Sequence, residues 1–269
     1  MNFLEKLALA GKKNRSLLCV GLDPDPALMP EKIGLFEFNK AIIDATADLV
    51  CAYKPNIAFY EAEGNKGLEA LYRTREYIPA EIPVIIDAKR GDIGNTARAY
   101  ARSLFERFNF DAATVSPYLG YDSLEPFLRF RDRGVFVLCR TSNKSAEDLQ
   151  SLPVKTARGH QMLFEIVAEK VQEWNKNGNL GLVVGATYPE ELKLIRDRYP
   201  EMPLLIPGVG AQGGELGQVV ACGVDAGREK TVINVSRQVL YASSGRDFAA
   251  AAKREAGALR DKINEYLGA

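Results

Sequence analysis

Histidine is almost missing from this chain: His160 is the one instance in 269 residues. A zinc site built on several imidazoles is therefore excluded, as is the usual base of a Ser-His or Cys-His nucleophile. That shortage does not exclude a magnesium ion held by carboxylates. Cysteine is scarce as well. Cys19, Cys51, Cys139 and Cys222 form no CxxC pair, and each stands in or near an apolar run. They read as buried free thiols, which suit a reducing compartment. Net charge is absent, since 35 Lys and Arg balance 35 Asp and Glu. The balance argues against nucleic acid or an anionic membrane as partner, but a small anionic ligand needs only local positive charge. No apolar stretch approaches the roughly 20 residues of a membrane span. Residues 1–16 space Phe3, Leu4, Leu7 and Leu9 at helical intervals, without the continuous apolar centre of a signal peptide. They read as a short helix packed on the rest of the fold, and the protein as cytoplasmic.

What the chain does have is apolar content, at 46%, enough for a full core. It is arranged as short β-rich runs alternating with longer amphipathic ones. The strand candidates are 16–22, 51–59, 83–89, 112–116, 134–140, 180–185, 203–208 and 231–236. Between them lie helical patterns such as Ala41, Ile42, Ala45 and Leu49 on one face, and Ala97, Tyr100, Ala101, Leu104 and Phe105 on another. A last helix is expected over 247–267. Uninterrupted β-then-α units imply a parallel sheet, and eight of them close a barrel with no edge strand. The fold class expected is thus an α/β (β/α)8 TIM barrel, a single domain over 1–269 with a short N-terminal helix. The competing fold is an open doubly wound sheet. It would usually carry a Gly-rich turn after strand one, where this chain has Gly21-Leu22-Asp23-Pro24-Asp25-Pro26. The longest loop, 143–160, is polar and reads as a lid or a surface insertion.

Barrels of this kind place reactive residues at the C-terminal ends of strands. Strand three ends in Asp87-Ala88-Lys89-Arg90-Gly91-Asp92. With period-two alternation, Val84 and Ile86 share an apolar face that must meet the helices, so Asp87 and Lys89 point into the barrel mouth. A structural ion pair would need only two charges. Lys54 on the neighbouring strand and Asp92 just beyond make four of alternating sign, which reads as a device for placing charge. The ends of strands seven and eight suggest a phosphate site. Gly208, Gly210, Gly213 and Gly214 allow backbone N–H groups near an anion, the following helix offers its N-terminus, and Arg237 can give two parallel hydrogen bonds.

The run Asp87-Ala88-Lys89-Arg90-Gly91-Asp92-Ile93-Gly94-Asn95-Thr96 resembles the signature of the orotidine 5′-phosphate decarboxylase family. Gly21-Leu22-Asp23-Pro24, Lys54, Pro207-Gly208-Val209-Gly210 with Gln212, and Ser236-Arg237 resemble that family's motifs on strands one, two, seven and eight. The spacing is most similar to its longer bacterial subgroup. The resemblance implies removal of CO2 from orotidine 5′-phosphate to give uridine 5′-phosphate, with no cofactor and no metal. It implies Lys89 as proton donor, Asp87 beside the substrate carboxylate, and Lys54 bridging the ribose and the charge network. Asp23 would hold a ribose hydroxyl, and Ser142 would read the pyrimidine. Pro207 belongs to the substrate-binding loop, where Gln212 would span phosphate and base. Arg237 would clamp the phosphate, with Ser236 acting through its backbone. Asp92 and Thr96 would reach into the site of a second subunit of a homodimer. Two other readings stay open at this point. One is a magnesium-dependent sugar-phosphate decarboxylase or aldolase, which shares the Asp-x-Lys-x-x-Asp spacing; the other is a non-catalytic phosphosugar-binding barrel.

Overall fold

The computed structural model describes residues 1–157, 159–210 and 214–268. In chain order its elements are α1 (Phe3–Asn14), β1 (Leu18–Leu22), α2 (Leu35–Thr46), β2 (Ala52–Pro55), α3 (Ile57–Glu61), α4 (Gly64–Tyr77), β3 (Ile85–Arg90), α5 (Gly94–Arg102), β4 (Ala112–Val115), α6 (Tyr121–Leu128) and β5 (Gly134–Arg140). There follow β6 (Pro153–Thr156), β7 (Gly159–Met162), α7 (Leu163–Trp174), β8 (Leu180–Val184), α8 (Pro189–Arg198), β9 (Leu204–Pro207), α9 (Leu216–Gly223), β10 (Thr231–Val235), α10 (Arg237–Leu240) and α11 (Phe248–Tyr266).

Eight strands form one parallel sheet in the order β2-β1-β10-β9-β8-β5-β4-β3. The end strands meet through parallel bridges Tyr53–Val84 and Asn56–Asp87 and a 3.1 Å hydrogen bond from Tyr53 N–H to the Pro83 carbonyl. The sheet is therefore an eight-stranded barrel, as its alternating β and α units dictate. Period-two alternation sorts its side chains. Cys19, Ala52, Ile85, Ala112, Phe136, Val183, Leu205 and Val232 fill the interior. Val20, Tyr53, Val84, Ile86, Val115, Val137, Leu182, Ile206 and Ile233 face outward into the core shared with the helices.

The N-terminal helix closes the bottom of the barrel. Asn2 and Glu5 cap α1 reciprocally, and Phe3 and Leu7 join the interior cluster. The Phe3 ring meets Phe136 edge-on at 5.7 Å, and any side chain at Gly134 would strike it. Leu9 stays exposed, so the apolar face of α1 is narrower than its sequence spacing suggests.

Two expectations need correction. The second strand ends at Pro55 instead of running to 59, because the Asn56 side chain accepts the Ala58 N–H and starts α3. The stretch after β5 is no irregular loop. It forms a helical turn at Lys144–Asp148 and then the antiparallel hairpin β6–β7.

Candidate active site

The C-terminal ends of the strands surround a cavity of about 760 Å³. Of the predicted residues, Asp23, Lys54, Asp87, Lys89, Ser142, Pro207, Ser236 and Arg237 all line it. Gln212 lies outside the described residues. Asp92 and Thr96 do not line the cavity of their own chain. Thr96 is exposed, and an Asp92 carboxylate oxygen accepts the Ile93 N–H at 2.7 Å.

Strand order places the charges. Asp87 Oδ2 receives Lys54 Nζ at 3.2 Å, and Asp87 Oδ1 receives Lys89 Nζ at 2.7 Å. Lys54 is 4% exposed, whereas the Lys89 side chain is half exposed to the cavity. Burial alone would raise the Asp87 carboxyl. The two ammonium groups, with hydrogen bonds from Lys89 and Thr114, outweigh it and hold Asp87 well below the usual carboxylate range. Burial likewise presses Lys54 down, but Asp87 and Asp23 hold it above an ordinary lysine. The core of the site is thus an ionised Lys54–Asp87–Lys89 row. Asp92, the fourth expected member, stands apart from it.

Period-two alternation puts Lys89 on the Asp87 face, but the strand is not regular there. The β3–β4 register shifts between Ile86 and Arg90, and Lys89 has φ +47°. A left-handed lysine costs about 1–3 kcal/mol. The buried Thr114 hydroxyl on β4 meets this turn: it accepts the N–H groups of Ala88 and Lys89, both at 3.0 Å, and donates to Asp87 Oδ1 at 2.8 Å.

On the opposite wall, Asp23 at the end of β1 accepts the Asn56 N–H at 3.1 Å and the Ser236 hydroxyl at 2.6 Å. Ser236 therefore uses its hydroxyl on Asp23, a contact the backbone role expected for it leaves out. Gly21 makes that contact possible, since a Cβ there would lie 2.7 Å from the Ser236 Cβ. Tyr241 supports the same strand end, donating to the Asp23 carbonyl at 2.9 Å; burial pushes its phenol up to about 12, so it keeps the proton for that bond.

The glycine loop after β9 is partly spent on itself. Gly208 and Gly210 have φ +97° and +72°. Gly210 N–H bonds to the Gly214 carbonyl at 3.1 Å and Gly214 N–H to the Gly208 carbonyl at 3.2 Å, so those two amides hold the loop closed. Arg237 is exposed at the mouth, lines the cavity and pairs with no carboxylate among the described residues. It is free to meet an anion.

Ser142 reaches the cavity because Gly185 lets it pass. A Cβ at Gly185 would sit 2.8–2.9 Å from the N, Cα and Cβ of Ser142. Gln150, from the segment read as a lid or a surface insertion, secures the neighbouring residue. It accepts the Thr141 N–H and donates to the Thr141 hydroxyl, both at 2.8 Å. Arg140 lies elsewhere: buried outside the barrel, it pairs with Glu191 and lies 3.7 Å from the Tyr188 ring centroid, which ties β5 to the start of α8. Among the described residues, no group of three or more His, Cys, Asp or Glu side chains is placed to hold a metal ion.

A family model, "Orotidine 5'-phosphate decarboxylase / HUMPS family", matches residues 16–254. The chain belongs to this family. It is 54% identical over 266 residues to the orotidine 5′-phosphate decarboxylase of Dehalococcoides mccartyi strain CBDB1, covering 99% of this chain and 98% of that one. To the same-named protein of Herpetosiphon aurantiacus it is 53% identical over 261 residues, 95% and 96% of the two chains. The solved OMP decarboxylase of Leishmania donovani covers 100% of both chains with a TM-score of 0.86 and 44% identity.

Within this member of the family, sequence reasoning missed several cavity residues. Thr114, Asn56, Gln150 and Asn234 are neutral and lie apart from the charged motif, so only their positions in the barrel reveal them. Asn234 is 7% exposed, and its side-chain oxygen has no partner among the described residues. Its interior position on β10, beside Cys19 in the register, is the signal that could have found it.

Proposed function

We propose that this chain removes CO2 from orotidine 5′-phosphate to give uridine 5′-phosphate, and that Lys89 stabilises and protonates the ring carbon left behind. The observation that carries this reading is the Lys54–Asp87–Lys89 row at one wall of a cavity whose mouth holds Arg237, which pairs with no carboxylate among the described residues. Family membership fits it. The electrons released at C6 lie in the plane of the ring and cannot spread into its π system. Stabilisation must therefore come from fixed charge, and an ammonium held there supplies both charge and proton.

The remaining roles are those that the family resemblance implies for these positions. Asp87, kept ionised, sits where the substrate carboxylate would lie; the repulsion between them fades as CO2 leaves. Lys54 bridges that network and the ribose, and Asp23 takes a ribose hydroxyl. Ser142 and Gln212 read the pyrimidine, Gln212 also reaching the phosphate, and Pro207 walls the loop beside it. Arg237 clamps the phosphate, far from the bond that breaks, so that its binding aligns the ring with the charges.

The working unit we propose is a homodimer of single-domain barrels in the cytoplasm. Asp92 and Thr96 stand around the start of α5 and do not line their own cavity. Near them, Ile93, Tyr118, Leu119 and Tyr121 expose apolar surface at the starts of α5 and α6, two helices that pack together. A second copy covering this patch would bring Asp92 and Thr96 to its own site. No helix among the described residues is long and apolar enough to cross a membrane.

The test is ultraviolet absorbance of purified protein with orotidine 5′-phosphate, with and without EDTA. Equal loss of the orotate band in both samples, with uridine 5′-phosphate as product, is expected. No loss with folded protein would overturn the reading. Loss only in the sample without EDTA would instead point to the magnesium-dependent chemistry.

A further inference from the structure

We infer that Thr114 is a positioning residue for the charge row: its hydroxyl sets the backbone turn that holds Lys89 over Asp87. The inference rests on the reading of Lys89 given above.

Three observations meet at one atom. Thr114 Oγ1 accepts two consecutive backbone N–H groups, Ala88 and Lys89, at 3.0 Å each, and gives its own proton to Asp87 Oδ1 at 2.8 Å. The side chain is buried, so water does not compete for these bonds. The residue that it anchors, Lys89, is one of the few non-glycine residues with positive φ, and the strand ladder is interrupted there. Without an acceptor at Oγ1, neither N–H finds the partner that a regular β3–β4 ladder would give it. The turn would relax toward extended geometry, which leaves Lys89 on the Asp87 face but shifts its Cα and loosens the 2.7 Å contact of its ammonium with Asp87 Oδ1. The donated proton also fixes which oxygen faces which lysine: Oδ1 takes Thr114 and Lys89 together, leaving Oδ2 to Lys54. The hydroxyl has no hydrogen left to give, so Thr114 acts through Asp87 and Lys89 instead of on the substrate.

Threonine is suited to this task in a way its nearest shapes are not. Valine matches its volume but offers neither acceptor nor donor; serine keeps both and loses only a methyl group. Thr114→Val is expected to lower kcat on orotidine 5′-phosphate by roughly 10- to 100-fold while KM stays within about threefold. Thr114→Ser is expected to stay within about threefold of the parent in both. Amide hydrogen exchange gives a readout independent of substrate. The Ala88 and Lys89 amides should exchange at least about tenfold faster in Thr114→Val and at parental rates in Thr114→Ser. Parental exchange at both amides in Thr114→Val would overturn the inference. So would equal impairment in the valine and serine variants, since packing would then be the cause. Failure of the parent protein to turn over the substrate would strike the functional reading alone, because the exchange result judges the Thr114 turn by itself.

Discussion

The ammonium of Lys54 lies 3.2 Å from Asp87 Oδ2 in a setting where the lysine is only 4% exposed. Asp87 keeps Lys89 as a second partner, whereas Lys54 has only the field of Asp23 besides. Removing one partner of a buried pair leaves the other uncompensated, at a cost of about 3–5 kcal/mol. Asp87→Ala is therefore expected to lower folding stability by roughly 3 kcal/mol in urea denaturation. Lys54→Met with Asp87→Ala should recover part of that loss, since no charge is then stranded. A double variant no more stable than Asp87→Ala would show that Lys54 is not stranded by the single change.

The same pair fixes an acid limb. Asp87 titrates well below its usual range in the folded chain, against about 3.9 when unfolded. Between those two values the unfolded chain binds more protons, so stability rises with pH; it is fully present above about pH 4 and is lost as pH falls through the folded value. Urea unfolding followed from about pH 5 down to about pH 3 should fall more steeply for the parent than for Asp87→Asn, which cannot titrate there. Parallel curves would assign the acid sensitivity to other carboxylates.

Much of this site is legible in the sequence, for reasons that differ by residue. The interior placement of Asp87 follows from alternation with Val84 and Ile86, whose apolar side chains have to face the helices. Asp23, Lys54 and Arg237 stand at strand ends, where a charge has solvent or a ligand to meet. Alternation puts Lys89 in the cavity, where it stands, but its backbone leaves the extended form that the rule assumes: the turn depends on Thr114, 25 residues away, and no local pattern encodes that. Thr114 and Asn234 carry no charge, so nothing marks them until the barrel gathers them. The end of β2 was overrun because the side-chain cap at Asn56 competes with strand propensity. The β6–β7 hairpin reads as loop in the sequence because both of its strands lie largely in solvent, leaving no apolar alternation to detect.

Lys89 is the residue on which turnover should depend most. Lys89→Ala removes both the proton and the charge at the reacting carbon, and a loss of at least about 10³-fold in kcat is expected. Product binding should change little, because Arg237 at the mouth is untouched. Single-turnover absorbance and calorimetric titration with uridine 5′-phosphate together check this. Retention of most turnover would remove Lys89 from the chemistry.

Arg237 tests the other end of the ligand. Its exposed guanidinium has no carboxylate partner among the described residues, so Arg237→Ala should leave folding nearly unchanged. The cost should fall on kcat/KM, by about 3–5 kcal/mol if a phosphate dianion loses its charge partner. Added inorganic phosphite with the phosphate-free nucleoside offers a control: it should activate the parent more than the variant. A change in kcat/KM under about twofold would mean that the phosphate is held elsewhere.

The placement of Asp92 and Thr96 outside their own cavity makes a sharper test of assembly than any size measurement. If each site takes Lys89 from one subunit and Asp92 from the other, Lys89→Ala and Asp92→Ala proteins are each inactive as homodimers. Mixed dimers would contain one site with both lesions and one with neither. Random exchange in an equal mixture makes half the dimers mixed, and half their sites intact, so activity should return to roughly a quarter of the parental value per site. Refolding the two variants together from urea and assaying them against each refolded alone measures this directly. If Asp92 served its own subunit, every site in the mixture would keep one lesion and no activity would return. Recovery near a quarter would place the two residues on opposite sides of a shared active site.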